Sequence, residues 1–115
     1  MNEADDQLGR TREALNQLDV ILQHRSRLGA CVLLGGVDAL SFARLRALLN
    51  ETDGNLGAQL RKLQEAGYVA VKKEFVNRKP VSWYSLTENG KAALRRHFAA
   101  LESMMQHNGN GRNQT

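Results

Sequence analysis

Residues 41–67 read SFARLRALLNETDGNLGAQLRKLQEAG, two amphipathic helical stretches separated by three turn-forming residues. In the first, Phe42, Leu45, Leu48 and Leu49 recur at three- and four-residue spacing behind Ser41, whose hydroxyl suits an N-cap. Asn50, Glu51 and Thr52 make the turn. Thr52 can cap a second helix on which Leu56, Leu60 and Leu63 share a face, and Gly67 ends it. A helix-turn-helix needs a turn of about three or four residues to set the angle between its helices, and this spacing meets that need. Off the apolar face of the second helix lie Asp53, Asn55, Ala58, Gln59, Arg61 and Lys62. Asn and Gln pair bidentately with adenine, and Arg and Lys bind guanine or phosphate. Thr52, Asn55, Ala58, Gln59, Arg61 and Lys62 are therefore the candidate recognition residues. On an ordinary surface helix the same face would only be solvated.

The following residues favour the first reading. Tyr68 to Val76 (YVAVKKEFV) and Val81 to Leu86 (VSWYSL) are rich in β-branched and aromatic residues, with Asn77, Arg78, Lys79 and Pro80 between them, so a hairpin with a basic tip is expected. The alternation puts Tyr84 and Leu86 on one face and Trp83 on the other, where Trp83 is expected to pack on Phe75 across the hairpin or to lie near a bound duplex. Lys72, Asn77, Arg78 and Lys79 are the candidate wing contacts to phosphate or minor groove. Lys72 and Lys73 point opposite ways. Pro80 lacks a backbone donor and holds Lys79 in extended geometry, stiffening the arm. Asp38 to Leu40 is the place for a short third strand, which a hairpin needs for stability.

These motifs in this order, Thr52-Asp53-Gly54-Asn55-Leu56, Leu60 to Val69, and Phe75 to Gly90 as FVNRKPVSWYSLTENG, resemble the winged-helix regulators of the MarR and ArsR kind, and within them a small single-domain family. The resemblance covers roughly Leu15 to Leu101. It implies a mainly α fold with a small β-hairpin: a winged helix-turn-helix with flanking N- and C-terminal helices. It further implies a transcriptional regulator that binds double-stranded DNA, a homodimer built on those flanking helices, and a small-molecule effector whose chemistry the residues do not name. The chain departs from the family pattern at Gly57, Ala58 and Gln59 in the middle of the recognition helix, which leaves its base preference open. The main alternative is a winged helix used for protein contact, because a fold does not determine function.

Length and charge agree with that outline. The chain has 115 residues, enough for one core, with 42% hydrophobic and 24% charged residues. Its net charge of +4 is unevenly spread: Arg44 to Arg96 holds eleven Lys and Arg against five Asp and Glu, and the remainder is net acidic. Positive charge thus concentrates where phosphate contact is expected. No apolar run approaches membrane-spanning length, and the acidic, polar start MNEADDQLG is unlike a secretory leader, so a cytoplasmic protein with no membrane partner is expected.

Outside the motif, residues 1–10 are expected to be flexible, 11–105 to form the winged-helix domain, and 106–115 to be a disordered tail. Leu15, Leu18, Ile21 and Leu22 predict a first helix from about Thr11 to Gln23, and a second is expected over Arg25 to Leu34, with Arg25 and Arg27 at its solvated start. Thr87 caps a last helix through about Met105, with Ala93, Leu94, Phe98, Leu101 and Met105 on its stripe. The lone Cys31 sits among apolar residues and suits a buried thiol. His24, His97 and His107 have no metal-ligand spacing, and no phosphate loop or nucleophile elbow is present, so neither a metal, nor a cofactor, nor an enzyme is expected.

Overall fold

The computed structural model describes residues 3–112, with side chains as far as residue 106. In chain order these form α1 (Glu3–Asn16), a 3-10 turn (Val20–Leu22), α2 (Arg25–Gly35), β1 (Leu40–Ser41), α3 (Phe42–Leu49), α4 (Asp53–Glu65), β2 (Val69–Val76), β3 (Lys79–Leu86) and α5 (Glu88–Arg112). The fold is the expected winged helix. It comprises two compact units, one of Val20–Leu94 and one of the first 19 residues with those from Arg95 onward.

In the larger unit, each expected helix face is the buried one. Leu45 and Leu49 of α3 and Leu56, Leu60 and Leu63 of α4 are buried with Ala30, Cys31 and Leu34 of α2, Val69, Tyr84 and Ala93. Leu48 departs from its predicted stripe and is 44% exposed, because α3 is only 8 residues long and buries a narrow face. Close packing explains Gly29: a Cβ there would lie 2.7 Å from Leu49 Cδ2, so glycine lets α2 approach α3 at a cost in helix propensity of about 1 kcal/mol.

The ends of α3 and α4 are closed by their own residues. Ser41 accepts a hydrogen bond from Arg44 N (3.1 Å), and Thr52 accepts one from Asn55 N (3.2 Å). Asn50 takes the left-handed conformation at φ 53, with Asn50 N bonded to Ala47 O and Glu51 N to Arg46 O. Gly67 at φ 79 repeats this pattern after α4, where Gly67 N bonds Gln64 O and Tyr68 N bonds Leu63 O. Paired 5→2 and 6→1 bonds of this kind satisfy the last carbonyls of a helix.

The sheet runs β1-β3-β2, all antiparallel. Leu40 pairs with Tyr84 and Ser41 with Trp83, which supplies the third strand. Tyr84 lies on the core face beside Phe42, ring centroids 6.4 Å apart, so the strand is tied to α3. Trp83 takes the other face, as expected. It does not pack on Phe75: the register sets Trp83 opposite Lys72 and Phe75 opposite Pro80, and residues three apart on a strand point to opposite faces.

The hairpin tip is also shorter than predicted. Val76 pairs with Lys79, leaving Asn77 (φ 53) and Arg78 (φ 66) as a two-residue loop, while Lys79 and Pro80 belong to β3. Two consecutive positive φ values define the type I′ turn, whose twist matches that of the flanking strands.

The smaller unit contains α1 and the latter part of α5. Asp19 N–H donates to His97 Nδ1 at 3.0 Å, and Ala14, His97 and Ala100 are buried. The first helix begins at Glu3, not Thr11, with Glu3, Asp5 and Asp6 in its first turn, where negative charge suits the helix dipole. It ends at Asn16, and Leu18 to Gln23 do not continue it. The last helix extends past Met105 to Arg112. The expected flexible start and tail fall partly on these helices and partly on residues 1, 2 and 113–115, which lie outside the described residues.

Candidate nucleic-acid interface

With Leu56, Leu60 and Leu63 turned inward, α4 presents its remaining residues outward. Thr52, Asn55, Ala58, Arg61 and Lys62 are exposed, while Gln59 and Gly57 are half-buried. Spacing along the helix sorts these residues into two neighbouring stripes. One carries Asn55, Gln59 and Lys62; the other carries Gly54, Gly57, Ala58 and Arg61 and is nearly bare of side chains until Arg61. A Cβ at Gly54 or Gly57 would meet nothing within 4 Å, so neither glycine is there to make room for another helix of the larger unit.

The acidic residues near this face are engaged. Asp53 pairs with Arg46 across the turn at 3.0 Å, and the buried Ser26 hydroxyl donates to the Glu51 carboxylate. As an exposed pair, Arg46–Asp53 contributes little to stability, but it places a cation beside the one acid at the start of α4. Arg61, Lys62, Arg78 and Lys79 form no ion pair among the described residues, so their charges are open to an external anion.

Arg25 and Arg27 are tied down, contrary to the expectation of solvated side chains. Arg25 Nη1 donates to Leu49 O at 3.0 Å. Arg27 Nε donates to Ile21 O and Nη1 to Gln59 Oε1, each at 2.6 Å. Gln59 is therefore not a free amide on the outward face of α4. His24 has a structural role, its Nδ1 accepting from Ser26 N (3.1 Å) as the N-cap of α2. Among the described residues no group of three or more His, Cys, Asp or Glu is placed to hold a metal ion.

On the hairpin, Asn77 and Arg78 sit at the tip and Lys79 beside it, all exposed. Lys72 lies on the outer face with Trp83, whereas Lys73 shares the face of Val69 and Tyr84 that continues from the core toward the tip. Phe75 lies on that same face and is 78% exposed. The sequence did not signal this exposure, because an aromatic in a strand ordinarily packs.

The base of the hairpin is set against the last helix by Thr87. Its hydroxyl donates to Gly67 O (2.6 Å) and accepts from Gly90 N (3.0 Å), capping α5. Gly90 is obligatory here, since a Cβ would lie 2.2 Å from Tyr68 O.

This arrangement, a short helix, a turn, an outward-facing polar helix and a basic hairpin, is that of a winged-helix DNA-binding domain. The chain belongs to that family, whose model, described as a winged helix DNA-binding domain, matches residues 26–105. An uncharacterized protein of Methanocaldococcus jannaschii is 34% identical over 72 residues, covering 63% of this chain and 78% of that protein. Among solved structures, a transcriptional regulator homologue from Pyrococcus horikoshii OT3 superposes with a TM-score of 0.75 at 24% identity, covering 85% of this chain and 95% of the other. A MarR family transcriptional regulator from Silicibacter pomeroyi superposes with a TM-score of 0.59 at 21% identity, covering 90% and 70%. No described helix is long and apolar enough to cross a membrane.

Proposed function

We propose that this protein is a transcriptional regulator that binds double-stranded DNA sequence-specifically, with α4 in the major groove and the basic hairpin tip on the backbone or in the minor groove. The observation that carries this reading is the set of unpaired cations, Arg61 and Lys62 on α4 and Arg78 and Lys79 at the hairpin, flanking the exposed amide Asn55 while the nearby acids Glu51 and Asp53 are engaged. Basic side chains next to a base-reading amide fit phosphate and base edges together.

The protein acts as a homodimer in this proposal. The smaller unit supports it: Leu8, Leu15, Phe98 and Met105 are 68%, 52%, 44% and 72% exposed, a large apolar content for two helices facing water. That unit also holds a cleft of about 490 Å³ whose lining includes Arg10, Glu13, Ala14, Arg96, Ala99 and Ala100, a volume within the range of ligand pockets and the place for a small-molecule effector. Two copies would read half-sites one helical turn apart, about 34 Å.

The test is binding of the purified protein to random-sequence duplexes across a salt series, with selection of the bound sequences and sedimentation of the protein alone. Salt-sensitive binding that enriches a palindrome, by a protein of twice the chain mass, is the expected result. No binding at low salt would overturn the DNA reading and favour the winged helix as a protein-contact surface; a monomer at micromolar concentration would overturn the dimer.

A further inference from the structure

We infer that Phe75 and Pro80 form an apolar wedge that the hairpin presses into the minor groove, so that the protein bends the duplex it binds. The inference rests on the DNA-binding reading above and adds deformation of the duplex to it.

Phe75 and Pro80 stand opposite each other in the register, so they share one face of the hairpin, and both are exposed, Phe75 at 78%. The Phe75 ring has no aromatic neighbour: the ring pairs among the described residues are Phe42 with Tyr84 and His97 with Phe98, and Trp83 is on the opposite face. Lys73 lies on the same face as Phe75, and Arg78 stands in the turn beyond it. Glu74, the one acid of the hairpin, pairs with Val81 on the other face. The wedge face therefore carries apolar surface and positive charge without an acid.

At about 3.3 Å per residue, Lys73 and Arg78 lie about 7 Å to either side of the ring along the hairpin. The minor groove is about 6 Å wide. Two cations at that spacing suit the phosphate rows that border the groove, with the ring between them. An anionic partner with apolar surface between its charges satisfies both features of this face, and a duplex groove, with its sugars and base steps between phosphates, is such a partner. Phe and Pro are among the side chains that enter base steps from the minor groove, unstacking them and kinking the duplex by about 20–90°. Pyrimidine–purine steps yield to this most easily.

The experiment selects bound duplexes from a random pool and then measures the bend of a selected duplex by energy transfer between dyes at its ends, for wild type, Phe75→Thr and Phe75→Leu. Threonine removes the ring and keeps a β-branched strand former; leucine keeps an apolar wedge. Wild type is expected to bend the duplex by about 20–90° and to enrich a pyrimidine–purine step outside the positions read by α4. Phe75→Thr should leave the duplex close to straight and lose that step, with the α4 positions and the salt slope unchanged. Phe75→Leu should keep both the bend and the step. A straight duplex under wild type, or a bend and step preference that survive in Phe75→Thr, would overturn the wedge while leaving DNA binding intact. A Phe75→Thr protein that changes its sedimenting mass and not the bend would assign the ring to a protein contact, which overturns the wedge as well. If wild type binds no duplex at low salt, the DNA-binding reading itself has failed and the wedge with it. With the ring 78% exposed, Phe75→Thr should melt within about 4 °C of wild type, and a larger drop would show a ring needed by the fold instead of the duplex.

Discussion

Replacing Arg78 with glycine sets the geometry of the hairpin against its charge. Arg78 stands at φ 66, in the second position of a two-residue loop in which glycine is the preferred residue. A side chain in the left-handed region costs about 1–2 kcal/mol, and glycine would relieve it. Glycine also gives the unfolded chain more freedom, which returns about 0.4–1 kcal/mol. The net gain is about 0.5–1 kcal/mol, or a rise of about 2–6 °C in the midpoint of thermal unfolding for a domain this small. Binding should move the other way. Losing one phosphate contact lowers the slope of log K against log salt by about 0.9, which amounts to about fivefold in affinity at 0.15 M salt and about fifteenfold at 0.05 M. Arg78→Ala is the control: it removes the charge but keeps the backbone strain, so it should bind as weakly as the glycine variant without the thermal gain. Scanning calorimetry and fluorescence anisotropy on a fixed duplex read the two quantities. A lower melting point for Arg78→Gly would refute the turn geometry, and wild-type affinity with an unchanged salt slope would refute the phosphate contact.

Three further perturbations test other parts of the molecule. Gly57→Ala should stabilise the protein by about 1 kcal/mol, since the new methyl meets nothing within 4 Å, and should weaken DNA binding if α4 lies against the duplex at that point; chemical denaturation and anisotropy measure both, and undiminished affinity places Gly57 off the interface. Gly90→Ala should destabilise by about 1–3 kcal/mol or more, because Tyr68 O would have to move from 2.2 Å, breaking the backbone arrangement that seats the hairpin on α5; a denaturation midpoint equal to wild type would contradict it. Burial raises the pKa of the Tyr84 phenol above its ordinary value of 10.0. The folded state therefore holds this proton more tightly than the unfolded state, so the associated stability is fully present below pH 10 and is lost as pH rises through the folded pKa. Tyr84→Phe should flatten that alkaline loss in a pH series of unfolding midpoints.

The parts of the fold legible in the sequence are those with a period. Leucines at three- and four-residue spacing marked the buried faces of α3 and α4, and two-residue alternation put Tyr84 and Trp83 on opposite faces of the hairpin. The turn lacked such a signal. A type I′ loop is announced by Asn-Gly or Asp-Gly, and Asn77-Arg78 lacks the glycine, so Pro80 drew the tip two residues too far along the chain. Phe75 looked like a packing partner for Trp83 because both are aromatic, but only the register reveals that they stand on opposite faces. The start of α1 was hidden for another reason: a polar, acidic segment reads as flexible, while acids in a first turn also favour a helix.

The least legible feature is the one that braces the candidate site. Arg25, Ser26 and Arg27 are consecutive, and each bonds a different part of the helix-turn-helix: Arg25 the last carbonyl of α3, Ser26 the turn through Glu51, and Arg27 helix α4 through Gln59. Successive helical residues point about 100° apart, so three in a row fan across an arc that no amphipathic pattern would flag. Their partners lie 24, 25 and 32 residues away, beyond any local motif. The consequence is that the crossing of α3 and α4 is held from three directions by polar bonds from one turn of α2, in addition to the leucine core. Apolar burial is non-directional, whereas a hydrogen bond requires both a distance and an angle to be met. The triplet therefore adds directional restraints on α4 to those of the leucine core, which suits a helix whose side chains are to meet base edges.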